Sequence, residues 1–270
     1  MSIKRPLKSL AFGLAALVVA SATHAAGFVN GGFEDGNTNG WTVGGGSRNG
    51  VDIAQLNPSA YLPGGSLYNA TIANTHSAVV SPGADPSPGF GALMPNIVYG
   101  GNSAFRLEDR TTGGYVSVIS QTVTNYTDSD IFFTWLAVLE NGGHSAEQSA
   151  VMIIELRDLT ANNVLISRVY NAVGGGGGVD SRFATFGNFY YTPQWQIEQL
   201  SIDASLSGHD FRLTVLASDC APTGHEGYLY LDGFGAVNPP PGGTVPEPGT
   251  LALAGAALLG MVGMRRRKQA

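Results

Sequence analysis

Between residues 26 and 244 the chain has no lysine and a single cysteine. Seven arginines stand there against nineteen acidic residues, a net charge of −12. The other seven basic residues lie at the two ends: Lys4, Arg5 and Lys8, then Arg265, Arg266, Arg267 and Lys268. Nucleic acid is therefore not expected as a partner, because it requires a basic footprint. Divalent cations and neutral glycans are compatible with such a surface. With Cys220 alone, no intrachain disulfide can form. A buried small hydrophobe is the better reading of this thiol than a reactive group or an intermolecular link.

Catalytic signatures are also wanting. Residues 45–49 read Gly-Gly-Ser-Arg-Asn where a nucleophile elbow would need Gly-x-Ser-x-Gly. The glycine run 174–178 is followed by Val179 and lacks the third glycine of a dinucleotide loop. A glycosidase needs two carboxyl groups at a set separation, and the nineteen acids offer no preferred pair. Glu140 and Glu155, near strand ends, read as surface acids. No catalytic residue is assigned.

Amphipathic segments of helical length are missing from the central part. What is present instead is a series of short runs rich in β-branched and aromatic residues: 115–124, 130–140, 150–158, 163–170, 195–203, 211–218 and 227–237, punctuated by Gly, Asn, Asp and Ser. In 211–216, Phe211, Leu213 and Val215 alternate with Arg212, Thr214 and Leu216, so one face should be buried and the other more exposed. The expected fold is all-β, a β-sandwich jelly roll. Residues 54–100, rich in Pro, Gly and Ser, depart from this pattern and read as a functional or mobile insertion. The run 174–178 reads as a flexible loop tip.

The ends carry their own patterns. Residues 1–25 combine a basic start, an apolar run and the small-residue site Thr23-His24-Ala25, which together read as a secretory signal peptide. Near the other end, Pro246-Glu247-Pro248 precedes an apolar segment, 250–264, and the basic cluster 265–268. A helix of fifteen residues would span about 22 Å, short against a hydrocarbon core of about 30 Å, so a permanent transmembrane anchor is marginal. The cations would hold that end in the cytoplasm and leave the rest of the chain outside. The tail, 241–270, resembles the PEP-CTERM sorting signal of Gram-negative bacteria, with Pro246, Glu247 and Pro248 as the signature and Arg265, Arg266 and Arg267 as the basic end. That resemblance implies an exosortase as partner, transient contact of 250–264 with the inner membrane, and export to the envelope, outer surface or extracellular matrix of a cell that makes exopolysaccharide.

Residues 28–43, "FVNGGFEDGNTNGWTV", and 227–237, "GYLYLDGFGAV", resemble the first and last strands of galactose-binding-like jelly rolls, the fold of many carbohydrate-binding modules. The matching positions are Asn30, Gly31, Phe33, Glu34, Gly40 and Trp41 at the opening and Tyr230, Leu231 and Asp232 at the close; 100–107 and 120–140 resemble intermediate strands. The domain would run over 26–240. The resemblance implies a structural calcium held by Glu34 and Asp232, with Asn102 as a further ligand, which suits a hard ion that takes six to eight oxygens. The alternative is that Glu34 and Asp232 end strands as solvated or hydrogen-bonded groups. It also implies carbohydrate binding. Sugars stack on exposed rings, and Tyr61, Tyr68, Phe90 and Tyr99 in the insertion, or Tyr191 and Trp195 beside Pro193, could serve; Trp41 and Trp135 read as core.

One stretch stays outside these readings. Cys220 and His225 have a Cys-x4-His spacing, but no second cysteine exists and no four-ligand set is evident. His225-Glu226 starts a failed HExxH look-alike, because residue 229 is Leu. A loop feeding the last strand is the preferred reading. The expected function is that of an exported, non-catalytic envelope or matrix protein that associates with exopolysaccharide. The alternatives are a purely structural surface protein and a secreted glycan-active enzyme.

Overall fold

In a computed structural model, residues 27–48 and 50–238 are described. The segment expected to be a signal peptide, 1–25, and the tail, 241–270, lie outside these residues. Twelve strands are found among the described residues. In chain order they are β1 (Thr42–Ser47), β2 (Ala78–Val80), β3 (Ala104–Leu107), β4 (Tyr115–Tyr126), β5 (Asp130–Glu140) and β6 (Val151–Asp158). They continue with β7 (Asn163–Asn171), β8 (Ala184–Phe186), β9 (Phe189–Tyr191), β10 (Gln196–Ser201), β11 (His209–Ser218) and β12 (Gly227–Gly235).

Two antiparallel sheets face each other as a β-sandwich of jelly-roll type. One has the order β1-β4-β11-β6-β7; the other runs β2-β3-β12-β5-β9-β8, with β10 beside the first half of β5. The last strand thus sits inside its sheet, between β3 and β5. Alternation along each strand sends Ile119, Trp135, Ile154, Val215, Leu229 and Leu231 into the space between the sheets. An aromatic group closes one end of this core: Phe33 stacks on Phe105 at 5.1 Å and Trp41 meets Phe234 edge-on at 4.7 Å. Trp41 and Trp135 are buried.

The opening segment differs from a strand. Residues 29–40 fold as successive turns, with Asn30 and Phe33 at φ of 50° and 57°, and pairing begins only at Thr42. Phe33 still reaches the core because its turn is closed by its own N–H on Asn30 O at 3.1 Å.

The insertion 54–100 is a packed element. It contains two 3-10 turns, Ile53–Gln55 and Pro58–Tyr61, a helix α1 (Ala70–Thr75) and β2. Asn69 caps α1, its side chain accepting from the N–H of Thr71 and Ile72. The outward faces of both sheets are apolar, and the insertion covers both. Leu56 and Tyr61 pack on Val116, Val118 and Leu216 of the five-stranded sheet. Phe90, Met94 and Ile97 pack on Leu136, Val138, Tyr228 and Tyr230 of the other. Asp85 fastens the second contact, its Oδ2 accepting from the hydroxyls of both Tyr228 and Tyr230 at 3.1 Å. The first contact depends on Gly44, Gly45 and Gly46 in β1. A Cβ on Gly44 or Gly46 would collide with the carbonyls of Tyr61 or Leu67, and one on Gly45 would lie 2.9 Å from Ala73 Cα.

Candidate functional site

The insertion and the β9–β10 connection leave a groove over the outward face of the seven-stranded sheet. It measures about 350 Å³, and its lining includes Met94, Tyr99, Leu136, Pro193, Trp195 and Ile197. Trp195 is half-buried; its indole N–H donates to Asn96 O at 3.2 Å, which fixes the ring across the gap between the two segments. Tyr99 meets Trp195 at 5.7 Å with the rings inclined at 60°. The Tyr99 hydroxyl is buried and has no hydrogen-bond partner within the protein. Such a group loses free energy unless something pairs with it. Ile197, 49% exposed, continues the apolar floor to the surface. The groove therefore combines the half-buried Trp195 ring and an apolar floor, with the buried Tyr99 packed behind the indole, which is the make-up of a small apolar subsite.

Of the six aromatic residues expected to bind sugar, Tyr99 and Trp195 come together here, but Tyr99 is 4% exposed and Trp195 alone offers a ring to the groove. Tyr61 and Phe90 are 0% and 1% exposed, and Tyr191 is buried too. No face of these three is open for stacking: Phe90 is ringed edge-on by Phe186, Phe189 and Tyr191 at 5.3–5.5 Å. Their burial follows from the apolar outward faces of the two sheets, which the insertion must cover. Tyr68 is half-buried between the second 3-10 turn and α1 and does not line the groove.

Glu34 and Asp232 converge on one loop, 99–103, which leads into β3. Asp232 Oδ2 accepts the N–H of Tyr99 at 2.9 Å and of Gly100 at 3.0 Å, and its Oδ1 accepts that of Gly233 at 2.6 Å. Glu34 Oε1 accepts from Asn102 N and Ser103 N, both at 2.9 Å. The Asn102 side chain faces Glu34 with its amide NH2, at 3.5 Å. Burial pushes the Asp232 carboxyl up to about 7, against the pull of the three N–H donors, and the neighbouring Glu34 charge adds to the rise. The hydrogen-bond partners of both carboxylates are N–H groups, whereas calcium requires a surround of oxygens. In this arrangement the residues do not fit a calcium ion; they form a hydrogen-bonded clamp that ties the opening segment and the last strand to the loop carrying Tyr99.

Known proteins resemble the tail and the rest of the chain separately. Residues 244–268 match the PEP-CTERM protein-sorting motif. The chain carries a sorting signal. No curated protein matches it by sequence. Its structure is similar to that of TmCBM61 in complex with beta-1,4-galactotriose, at 14% identity over 77% of this chain and 96% of that one, with a TM-score of 0.38. It is also similar to CBM28, a carbohydrate-binding module specific for non-crystalline cellulose, at 10% identity over 80% and 95% with a TM-score of 0.35. A Stig cyclase, Fisc from Fischerella sp. TAU, matches at 12% identity over 78% and 96% with a TM-score of 0.33. Among the described residues no helix is long and apolar enough to cross a membrane; the segment 250–264 lies outside them.

Proposed function

We propose that this protein is an exported, non-catalytic envelope or matrix component that binds glycan in the groove between Tyr99 and Trp195, with exopolysaccharide of the producing cell as its ligand. An exosortase-type enzyme at the inner membrane would read the tail, and the signal peptide would route the chain there. The observation that carries the reading is the half-buried Trp195 ring, held across the groove by its indole N–H on Asn96 O and backed by Tyr99. A sugar ring could stack on the open part of the indole, and the acidic, lysine-free surface favours a neutral glycan over an anionic one. The clamp by Asp232 holds the Tyr99 backbone in place before any ligand arrives, which lowers the ordering cost of binding.

The test is a binding isotherm of the purified protein against the producing organism's exopolysaccharide, for the wild type and Trp195→Ala. Saturable binding that weakens roughly tenfold in the variant, at unchanged melting temperature, supports the groove. Binding that is indifferent to Trp195 and Tyr99 overturns it. Release of reducing ends during incubation would replace this reading with that of a glycan-active enzyme, and no binding at all would leave a structural surface role.

A further inference from the structure

At one end of the sandwich two loops run side by side, 141–150 between β5 and β6 and 219–226 between β11 and β12. Arg48, the residue after β1, joins them. Its side chain is 0% exposed, and it donates to Ser149 O at 2.6 Å, Asp219 O at 2.7 Å, Glu147 O at 2.7 Å and Val51 O at 2.8 Å. Ala221 N adds a bond to Gln148 O at 2.8 Å, and Cys220 N closes the second loop on His225 O at 3.0 Å. Three side chains from these fixed loops then converge. His225 Nδ1 lies 3.2 Å from His144 Nε2 and 3.3 Å from Cys220 Sγ. All three donor atoms fall within 4.8 Å of one another. Gly142 makes the room: a Cβ there would collide with the His225 imidazole.

We propose that His144, Cys220 and His225 form a binding site for a thiophilic divalent transition ion of the zinc class, with the fourth coordination position open to solvent. The donor set decides the class. Two imidazoles and a thiolate suit zinc and its neighbours, whereas calcium and magnesium take oxygen. The spacing agrees, since nitrogens held at 2.0–2.1 Å from a tetrahedral zinc stand about 3.3 Å apart. The thiol is the buried floor of the site and both imidazoles are partly exposed, so an ion can enter from the histidine side and displace the Cys220 proton to solvent. Because the cysteine can form no disulfide within the chain, metal ligation also gives it a defined chemical state outside the cell.

The site is tested on the intact protein after treatment with a chelator, by titration with Co(II) followed by Zn(II). The expected result is one equivalent of Co(II) bound, with a thiolate-to-cobalt charge-transfer band and ligand-field bands of a four-coordinate ion that Zn(II) abolishes. In Cys220→Ser the charge-transfer band should vanish, and His144→Ala, a change in an accessible loop, should weaken binding by roughly tenfold or more. Circular dichroism of the metal-free variants establishes that each is folded. Cobalt bound without the thiolate band, or with the band and affinity unaltered in both variants, overturns the proposal, as does the absence of stoichiometric binding by a folded wild type. None of these outcomes depends on glycan binding.

Discussion

Asp232 in the last strand accepts the main-chain N–H of Tyr99 at 2.9 Å, so the strand that completes the sheet also positions one wall of the groove. Three backbone donors share this buried carboxylate. Asp232→Ala leaves all three unpaired and is expected to cost about 3 kcal/mol of stability. The loop 99–103 should loosen with it. Chemical denaturation measures the first effect, and a parallel fall in glycan affinity reads the second.

Removal of calcium provides a separate check. The carboxylates of Glu34 and Asp232 are satisfied by N–H groups, so EDTA should leave the melting temperature of the protein unchanged. A drop on chelation that calcium restores, and that disappears in Glu34→Gln, would return the ion to this place.

The three-glycine run of β1 is a docking surface for backbone. Gly44→Val would push the Tyr61 carbonyl away and lift the first half of the insertion from the five-stranded sheet. The expected loss is about 1–3 kcal/mol. Limited proteolysis should show new cleavage within residues 54–76 before the rest of the domain is cut.

His76 and Glu108 form a buried pair, His76 Nδ1 to Glu108 Oε1 at 2.9 Å, with Ser117 Oγ on the other carboxylate oxygen at 2.8 Å. The hydrogen bond to Glu108 raises the His76 pKa above its ordinary 6.5, against the opposing effect of burial. Burial raises that of Glu108 in turn. Both shifts mean that the folded state binds more protons than the unfolded one, so stability falls as pH rises. The His76 contribution is complete below pH 6.5 and is lost as pH passes its folded value. Melting temperature should therefore decline as pH rises through and beyond 6.5, and His76→Gln should flatten that part of the decline. An equal slope in the variant would assign the pH dependence to other groups.

Much of the sandwich was legible because long strands announce themselves. The run 130–140 is β5 from end to end, and the runs at 115, 150, 163, 211 and 227 fall within a few residues of β4, β6, β7, β11 and β12. β1 was silent, since Gly44, Gly45 and Gly46 give no side-chain pattern; β8 and β9, three residues each, are too short to show a period. The insertion reads from sequence as functional or mobile, and its prolines and glycines mask how closely it packs on both sheets. A signal did exist in the strands: Val116 and Val118, Leu136 and Val138, and Tyr228 and Tyr230 occupy outward positions that a solvated sheet would fill with polar groups. Of the candidate site, the pairing of Tyr99 with Trp195 could be guessed only as two names in a longer set, because 96 residues of chain separate them. His144 had no signal at all. Nothing in the sequence ties it to Cys220 and His225; only the parallel run of two loops does so.

The place of β12 between β3 and β5 has a consequence for how the chain acquires its shape. Until residues 227–235 have been made, β3 and β5 have no common neighbour, and the stacked pair Phe33 and Trp41 lacks Phe234, the ring that packs edge-on against both. Arg48 similarly waits for Asp219, 171 positions later, to take its place among the carbonyls. A growing chain therefore cannot settle piece by piece from its beginning. Its first and last segments must meet before either is stable, so folding should be slow for the domain's size and should start only once synthesis of the domain is essentially complete.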